Sequence, residues 1–500
     1  MVSHVIGISL TALAFLVFGH GIVKRVNGKA FNPLPAFILI LVALAYELFL
    51  SSGSVFARLP HILTDFGAGM LIASVYLLLR NAQAKLLAVP GALALMVGSI
   101  MYVVSFGYDW ISKTMSNDHQ LLVELGPDDN IDEIESILDA HDAEWEKAFP
   151  EVDLDEDEDL AQVYLVSVCA DQIENLKESL KMDKENVDHV ESNGEVLLFE
   201  PIAVEPNRKN EKGFLANDPE LGRQWFAEKL SYNKVYKFLQ QNQPKKKVKL
   251  AIVDTGVDKD HEDLNSIYKK SGTDGDYDKH SHGSHCAGIA GAATNNGKGV
   301  GSLNWEGRHI TISGYAALDD NGRGTDQRVS RAIIKAADDG ADVISMSLGG
   351  FSPFPPKSQK DAINYAIKQG ATVIVAAGNS NDDARRYSPA NIPGVIVVSA
   401  ADPNLNKASF SNINTKLKQP IAAPGVDILS TIPGGSYQAY SGTSMATPLV
   451  AGLVAMIKSY KPDLTNKEVY KILKDTGMEV RDSKKIGKVV DPLKAIEAVQ

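Results

Sequence analysis

A chain of 500 residues with 62 acidic against 50 basic residues and a formal net charge of -12 has room for two or three domains, and it argues against a surface built to hold nucleic acid. Hydrophobic residues make up 44% of it, an ordinary share whose distribution is uneven, because the apolar residues pile up at the front. Two cysteines, Cys169 and Cys286, fall in different expected domains, which excludes a disulfide framework and leaves both as free thiols.

Four apolar stretches, at 5–23, 34–50, 62–79 and 86–106, open the chain. Each is near the ~17–25 residues that a helix needs to cross a bilayer, and the segments between them are short. A cleaved signal peptide accounts for the first at most, so residues 1–108 read as a four-helix transmembrane domain with the lipid bilayer as its partner. Lys24, Arg25 and Lys29 follow the first stretch and Arg80 and Lys85 the third, whereas Arg58 and Lys113 lie on the other side. Basic flanks stay mainly in the cytoplasm, so the N-terminus and everything after Phe106 are expected outside it, in a multi-pass protein of the cell membrane. Glu47 and Asp65 read as end-of-helix or helix-pairing residues.

An acidic region follows at 119–200. Residues 120–125 alternate like a strand, 131–149 have helical periodicity, and 151–159 form a charged loop; a strand at 163–168, a helix at 172–180 and a final strand at 196–199 complete a small split βαβ, ferredoxin-like α+β domain. Residues 201–213 are a polar linker.

From 214 to 500 the composition is that of a globular α/β domain. Short β-branched apolar runs at 248–253, 310–312, 343–346, 372–376 and 395–399 alternate with helical patterns such as 328–337 and 360–368. Buried strands separated by helices predict a parallel sheet covered by helices on both faces, with its ligand site beyond the strand C-termini.

Chemistry-bearing residues fall at such ends. Asp254 closes the run 248–253 just before a tight Thr255-Gly256 turn, His282 opens a segment of small residues, and Asn379 follows the run 372–376 through Ala377-Gly378. Ser444 stands among small residues at the mouth of a helix whose apolar run is 449–457, where unpaired N–H groups and the helix dipole favour developing negative charge. A serine hydroxyl needs an imidazole to take its proton, and the imidazole needs a carboxylate to fix its tautomer. Ser444, His282 and Asp254 meet those needs, and the Ser444 backbone N–H and the Asn379 side chain are the candidate oxyanion donors.

The segments Ala251-Ile252-Val253-Asp254-Thr255-Gly256-Val257, His282-Gly283-Ser284-His285-Cys286-Ala287-Gly288, Ala376-Ala377-Gly378-Asn379 and Gly442-Thr443-Ser444-Met445-Ala446-Thr447-Pro448, in that order, resemble the signatures of subtilisin-like serine proteases, the subtilases. The resemblance covers about 217–500. It implies Asp254 as orienter, His282 as general base and acid, Ser444 as nucleophile and Asn379 as oxyanion donor. It also implies that Ser347-Leu348-Gly349 and Ala376-Ala377-Gly378 line the pocket for the side chain before the scissile bond, and that Gly322-Arg323-Gly324 is the edge that pairs with an extended protein or peptide substrate. His285 reads as structural and Cys286 as a packed thiol near His282. Leu449 and Ser284 stand where the family often has histidine and threonine, and neither change removes a catalytic group.

The resemblance further implies structural calcium and no organic cofactor. Asp218, Asp263 and Asn296 match oxygen donors of thermitase-like subtilases, while Asp274, Asp276 and Asp278 read as a solvated acidic loop sooner than as a second ion site. The region 119–200 resembles the inhibitory propeptide of the family, carried mostly by 187–199. It implies a domain that occupies the active site until a cut between about 200 and 217, and that cut decides whether the enzyme stays tethered or is shed. The function expected is therefore a membrane-associated serine endopeptidase acting outside the cytoplasm through an acyl-enzyme. The competing readings are a catalytically silent receptor or scaffold on the same fold, and a membrane sensor or transporter with the protease as effector; the four intact catalytic positions favour the enzyme.

Overall fold

Strand alternation builds a small sheet with two apolar faces near the start of the computed structural model, which describes residues 119–198, 201–204 and 213–500. β1 (Gln120–Leu125), β2 (Glu144–Lys147), β3 (Val163–Ser167) and β4 (Val187–Ser192) pair antiparallel in the order β2-β3-β1-β4. Leu121, Val123 and Leu125 pack with Ile134 and Leu138 and with Leu176 and Leu180 of α1 (Ile173–Met182). Leu122, Val163 and Leu165 point the opposite way, into a core shared with Ala332, Ile333, Ala362 and Ala366 of the C-terminal half. The second face of the small sheet is thus covered by the larger domain. The four apolar stretches of 1–108 lie outside the described residues, and among the described residues no helix is long and apolar enough to cross a membrane.

Two expectations for this region are corrected. The helix expected over 131–149 stops early: a tight 3₁₀ turn at Ile131–Ile134 and a short helix at Glu135–Asp139 give way to β2. Trp145 is the one large apolar residue of that edge strand and is 44% exposed, so its sequence carries no buried alternation to read. The final strand is also not where it was expected. β4 completes the small sheet, and β5 (Glu195–Leu197) leaves it to pair antiparallel with Arg323–Thr325 of the C-terminal half. β6 (Ile202–Val204), inside the segment expected to be linker, pairs antiparallel with the stretch ending at Ser441.

Beyond α2 (Tyr232–Gln241), six runs form one parallel sheet: β7 (Val248–Asp254), β8 (Ile310–Ala316), β10 (Val343–Met346), β12 (Thr372–Ala376), β14 (Ile396–Ala401) and β15 (Pro420–Pro424). Their order is β15-β14-β12-β10-β7-β8, as a doubly covered parallel sheet requires. Leu250 and Ile252 face one core with α3 (His282–Gly291) and α6 (Thr443–Tyr460), while Ala251 and Val253 face the other with α4 (Asp326–Asp338) and α5 (Lys357–Lys368). β15 was not legible as a strand; its bounding prolines suit an edge position. The remaining strands, β9 (Arg323–Thr325), β11 (Gly350–Phe351), β13 (Tyr387–Ser388), β16 (Ile428–Ile432) and β17 (Ser436–Ser441), make small antiparallel pairs around the site.

Candidate active site

Asp254 is the last residue of β7 and is buried; its Oδ1 accepts from the Thr255 backbone N–H at 2.8 Å and lies 2.7 Å from Nδ1 of His282. His282 is the first residue of α3. Its approach depends on Gly283, where a Cβ would stand 2.0 Å from the carbonyl oxygen of Gly256, so only a glycine lets the helix start close on the turn after β7. Burial alone would lower the pKa of His282. The adjoining Asp254 carboxylate, helped by Cys286, outweighs burial and holds it well above the usual imidazole value.

Ser444 sits in the first turn of α6, every residue of which is buried. Pro448, inside the helix, lacks the N–H that would bond to the carbonyl four residues back, which is that of Ser444. Two donors fill the gap: the Ser347 hydroxyl at 2.9 Å and the Cys286 thiol at 3.4 Å. Cys286 is therefore a packed structural thiol, its pKa pushed up by burial and its sulfur 3.9 Å from Nδ1 of His282. The Ser444 hydroxyl donates to the carbonyl of Ser347 at 3.2 Å, while Nε2 of His282 is buried with no hydrogen-bond partner among the described residues. Rotation of the serine about χ1 is what transfer to the base requires.

Asn379 follows β12, and its Oδ1 accepts from both the backbone N–H and the hydroxyl of Thr443 at 2.8 Å. With its oxygen fixed, Nδ2 lies on the Gly442 side, 3.2 Å from where a Cβ on that glycine would be. The amide donor and the α6 N-terminus thus face one region beside Ser444. Ala376 and Ala377 are buried, and Gly378, at φ +99, donates its N–H to the Thr443 hydroxyl at 3.2 Å. Leu348 is buried and Ser347 holds both ends of Ser444. His285 is structural: burial pushes it down to about 3, and its Nε2 lies 2.9 Å from the carbonyl of Gln438.

The edge expected to hold substrate is filled by the chain itself. β5 lies antiparallel on β9, with Leu197 opposite Arg323 and Val196 opposite Gly324. The Leu198 N–H donates to Gly322 O at 2.9 Å and the Gly349 N–H to Leu197 O at 3.4 Å. Val196 and Leu198 are buried while Leu197 is exposed, the alternation of a bound strand. Past the triad β6 continues on β17, with Ile202 opposite Ser441. β17 has no local signature as a second docking edge, and neither has Asp326, whose Oδ2 accepts from the Gly194 N–H at 3.0 Å.

Asp218, Asp263 and Asn296 do come together. Asp218 accepts from the backbone N–H groups of Asn295 and Asn296 at 2.8 and 3.3 Å, and Asp263 accepts from the Asn296 side chain at 3.0 Å and the Val300 N–H at 2.8 Å. Burial, with the Asp263 charge adding to it, pushes Asp218 up to about 6, and burial raises Asp263. Two buried carboxylates and an amide are an oxygen-bearing set that fits a hard cation, provided the Asn296 amide turns its oxygen inward. The second acidic group is not the solvated loop expected: Asp276 and Asp278 are buried, Asp276 accepting from Ser271, Gly272 and Tyr268, and Asp278 from Thr255, His280, Ser281 and Ser284.

A carboxylate, an imidazole, a hydroxyl and an amide donor gathered near the strand ends of a doubly covered parallel sheet are the group types that serine-nucleophile hydrolases use. Within that class the chain belongs to the subtilase family, whose profile matches residues 245–489. It is 41% identical over 223 residues to thermitase of Thermoactinomyces vulgaris, covering 44% of this chain and 77% of that one. It is 44% identical over 215 residues to the thermophilic serine proteinase of Bacillus sp. strain AK1, covering 42% of this chain and 52%, about half, of that relative's length. Among solved structures, fervidolysin from Fervidobacterium pennivorans, a keratinolytic enzyme related to subtilisin, superimposes with a TM-score of 0.63 at 26% identity, over 76% of this chain and 61% of that one.

Proposed function

We propose that this chain is a serine endopeptidase, made with its N-terminal domain as an inhibitor in its own cleft. The observation that carries this reading is the strand on either side of the triad: β5 through Leu198 on β9, then β6 on β17. Four Cα steps separate Leu198 from Ile202, at most ~14 Å of chain. The bond to be cut first therefore lies between Leu198 and Ile202, at the N-terminal edge of the span expected from sequence.

The chemistry follows from the groups in place. Ser444 Oγ attacks the carbonyl carbon and its proton passes to Nε2 of His282, while Asp254 fixes the proton on Nδ1 and steadies the imidazolium. The Ser444 N–H and Nδ2 of Asn379 hold the oxyanion. Collapse breaks the C–N bond and His282 returns the proton to the leaving amine. Water then attacks the acyl-enzyme with His282 again as base, freeing Ser444 and the acid. The four N-terminal apolar stretches would anchor the chain and place the site outside the cytoplasm, and Asp218, Asp263 and Asn296 would hold a structural calcium ion.

The test is the N-terminus of the mature protein, read by mass spectrometry in wild type and Ser444→Ala. A new terminus within 199–202 in wild type alone is expected, together with loss of peptide hydrolysis and of labelling by a serine-directed phosphonate in the variant. Undiminished hydrolysis by Ser444→Ala would sink the mechanism. Alkaline extraction of membranes from cells making the full chain checks the anchor: the uncut form should stay with the lipid.

A further inference from the structure

The strand in the cleft is held beyond its two buried side chains. Glu195 carries its Oε1 3.5 Å from Nη1 of Arg323 on β9, both side chains exposed. One residue earlier, Gly194 makes a two-way contact with Asp326. The Asp326 backbone N–H donates to Gly194 O at 2.9 Å, and the Asp326 carboxylate accepts from the Gly194 N–H at 3.0 Å. A Cβ on Gly194 would stand 2.7 Å from that carboxylate oxygen, so a larger residue there must push Asp326 aside.

Asp326 does not move freely. It is only 6% exposed, its Oδ1 accepts from Nε2 of Gln359 at 2.7 Å, and Gln359 in turn accepts from the Ser388 hydroxyl at 3.1 Å. A buried carboxylate fixed from the side of the catalytic half, with its free oxygen aimed at a strand backbone, is a built acceptor. Arg323 is at the rim, where an ion pair selects more than it binds.

We infer that Arg323 and Asp326 form an outer specificity subsite that reads the two residues ahead of the buried Val196 position, favouring a small residue followed by an acidic one. This rests on the reading of β5 as a strand bound like substrate. The substrates selected are extended segments of the pattern Gly-Glu followed by apolar residues, as in the chain's own 194–198. The bland account of the same contacts is that they only seat the N-terminal domain, and a free peptide separates the two because it lacks that domain.

The experiment uses the processed full-length chain and peptides of the sequence 193–204, with Glu195 replaced by Gln or Lys and Gly194 by Ala or Val. Wild-type kcat/KM is expected to fall about two- to five-fold from Glu to Lys at low salt, the range of an exposed ion pair, and to level out in 0.5 M salt. In Arg323→Glu the order should invert, Lys over Glu. Gly to Val should cost more in wild type than in Asp326→Ala, where the crowding oxygen is gone. Equal Glu-to-Lys ratios in wild type and Arg323→Glu, with Gly and Val peptides cut alike by both wild type and Asp326→Ala, would overturn the subsite while leaving the protease intact. No cleavage of any peptide by wild type or Ser444→Ala would overturn the protease reading, and this inference with it.

Discussion

Nδ1 of His282 lies 2.7 Å from Oδ1 of Asp254, with both side chains exposed by 1% or less. Buried together, the pair favours the imidazolium, which is the state that must form when Ser444 gives up its proton. A base has to start neutral. Activity should thus rise with pH along a limb displaced above the ordinary value of 6.5, and Asp254→Asn should move the limb down while cutting kcat by about 10⁴, the cost of a wrong tautomer in a comparable triad. Stability runs the other way. A raised histidine pKa contributes fully below the unfolded value and is lost as pH climbs through the folded one, so the pair stabilises most where the enzyme works least. A kcat–pH profile of both proteins checks the sign; a limb at or below 6.5 in wild type would refute it.

Thr443 fixes Asn379 through its N–H and its hydroxyl, both at 2.8 Å from Oδ1. Asn379→Leu removes the donor aimed at the oxyanion, and in subtilisin the analogous loss costs ~10²–10³ in turnover. The effect should fall on kcat with KM nearly unchanged. Thr443→Val keeps the backbone donor and loses only the hydroxyl, so about a five-fold fall in kcat is expected, one hydrogen bond's worth. Steady-state kinetics on one peptide compares the three, and a KM effect that matches the kcat effect would count against oxyanion stabilisation.

What could be read from the sequence depended on burial and on distance along the chain. Leu250 to Val253 and Thr372 to Ala376 announce themselves because both faces of those stretches are buried and every position is apolar or small. Asp254, His282, Asn379 and Ser444 stood out because each lies where such a run ends or a helix begins. β6 was hidden, and so was the pairing of β5 with β9: with three residues in each strand and partners more than a hundred positions away, nothing local announces them. Charged β2 has no local pattern either. The same applies to Asp326, an ordinary helix-start aspartate until Gly194 is seen against it. Nor could the sequence say that the Ser444 hydroxyl rests on Ser347.

Glu191 completes a helix that it does not belong to. α5 has no side-chain cap of its own after Pro356, and the Glu191 carboxylate accepts from the N–H groups of Lys357 at 2.7 Å and Ser358 at 3.0 Å. Burial would raise its pKa, but His189 and those N–H groups outweigh it and lower it. A depressed carboxylate contributes above its free value and is lost as pH falls through the bound one, so acidification below about 4.5 should loosen the N-terminal domain. Glu191→Ala should weaken its hold by about five- to thirty-fold, from ~1–2 kcal/mol for an N-terminal cap. The measurement is the share of cleaved N-terminal fragment that copurifies with the protease; unchanged copurification would rule the cap out as a fastening.

Asp218 and Asp263 press like charges into one buried place, and Asp263 also takes the Tyr437 hydroxyl at 3.2 Å. Without a cation that arrangement costs stability; with one the carboxylates become ligands, and binding to the folded state alone raises the unfolding free energy. At a hundred times Kd the gain is about 2.7 kcal/mol, which for a domain of this size corresponds to a rise in Tm of roughly 4–5 °C. Calcium should produce that rise in the C-terminal half, a chelator should reverse it, and magnesium, which demands smaller and more regular coordination, should do little. Asp263→Asn removes one of the two charges, so it should flatten the calcium response while lowering the ion-free Tm less than a loss of packing would. Differential scanning of wild type and variant, each with calcium and with chelator, separates the cases: a Tm indifferent to calcium in wild type would mean that the two carboxylates hold each other through Asn296 and the backbone N–H groups alone.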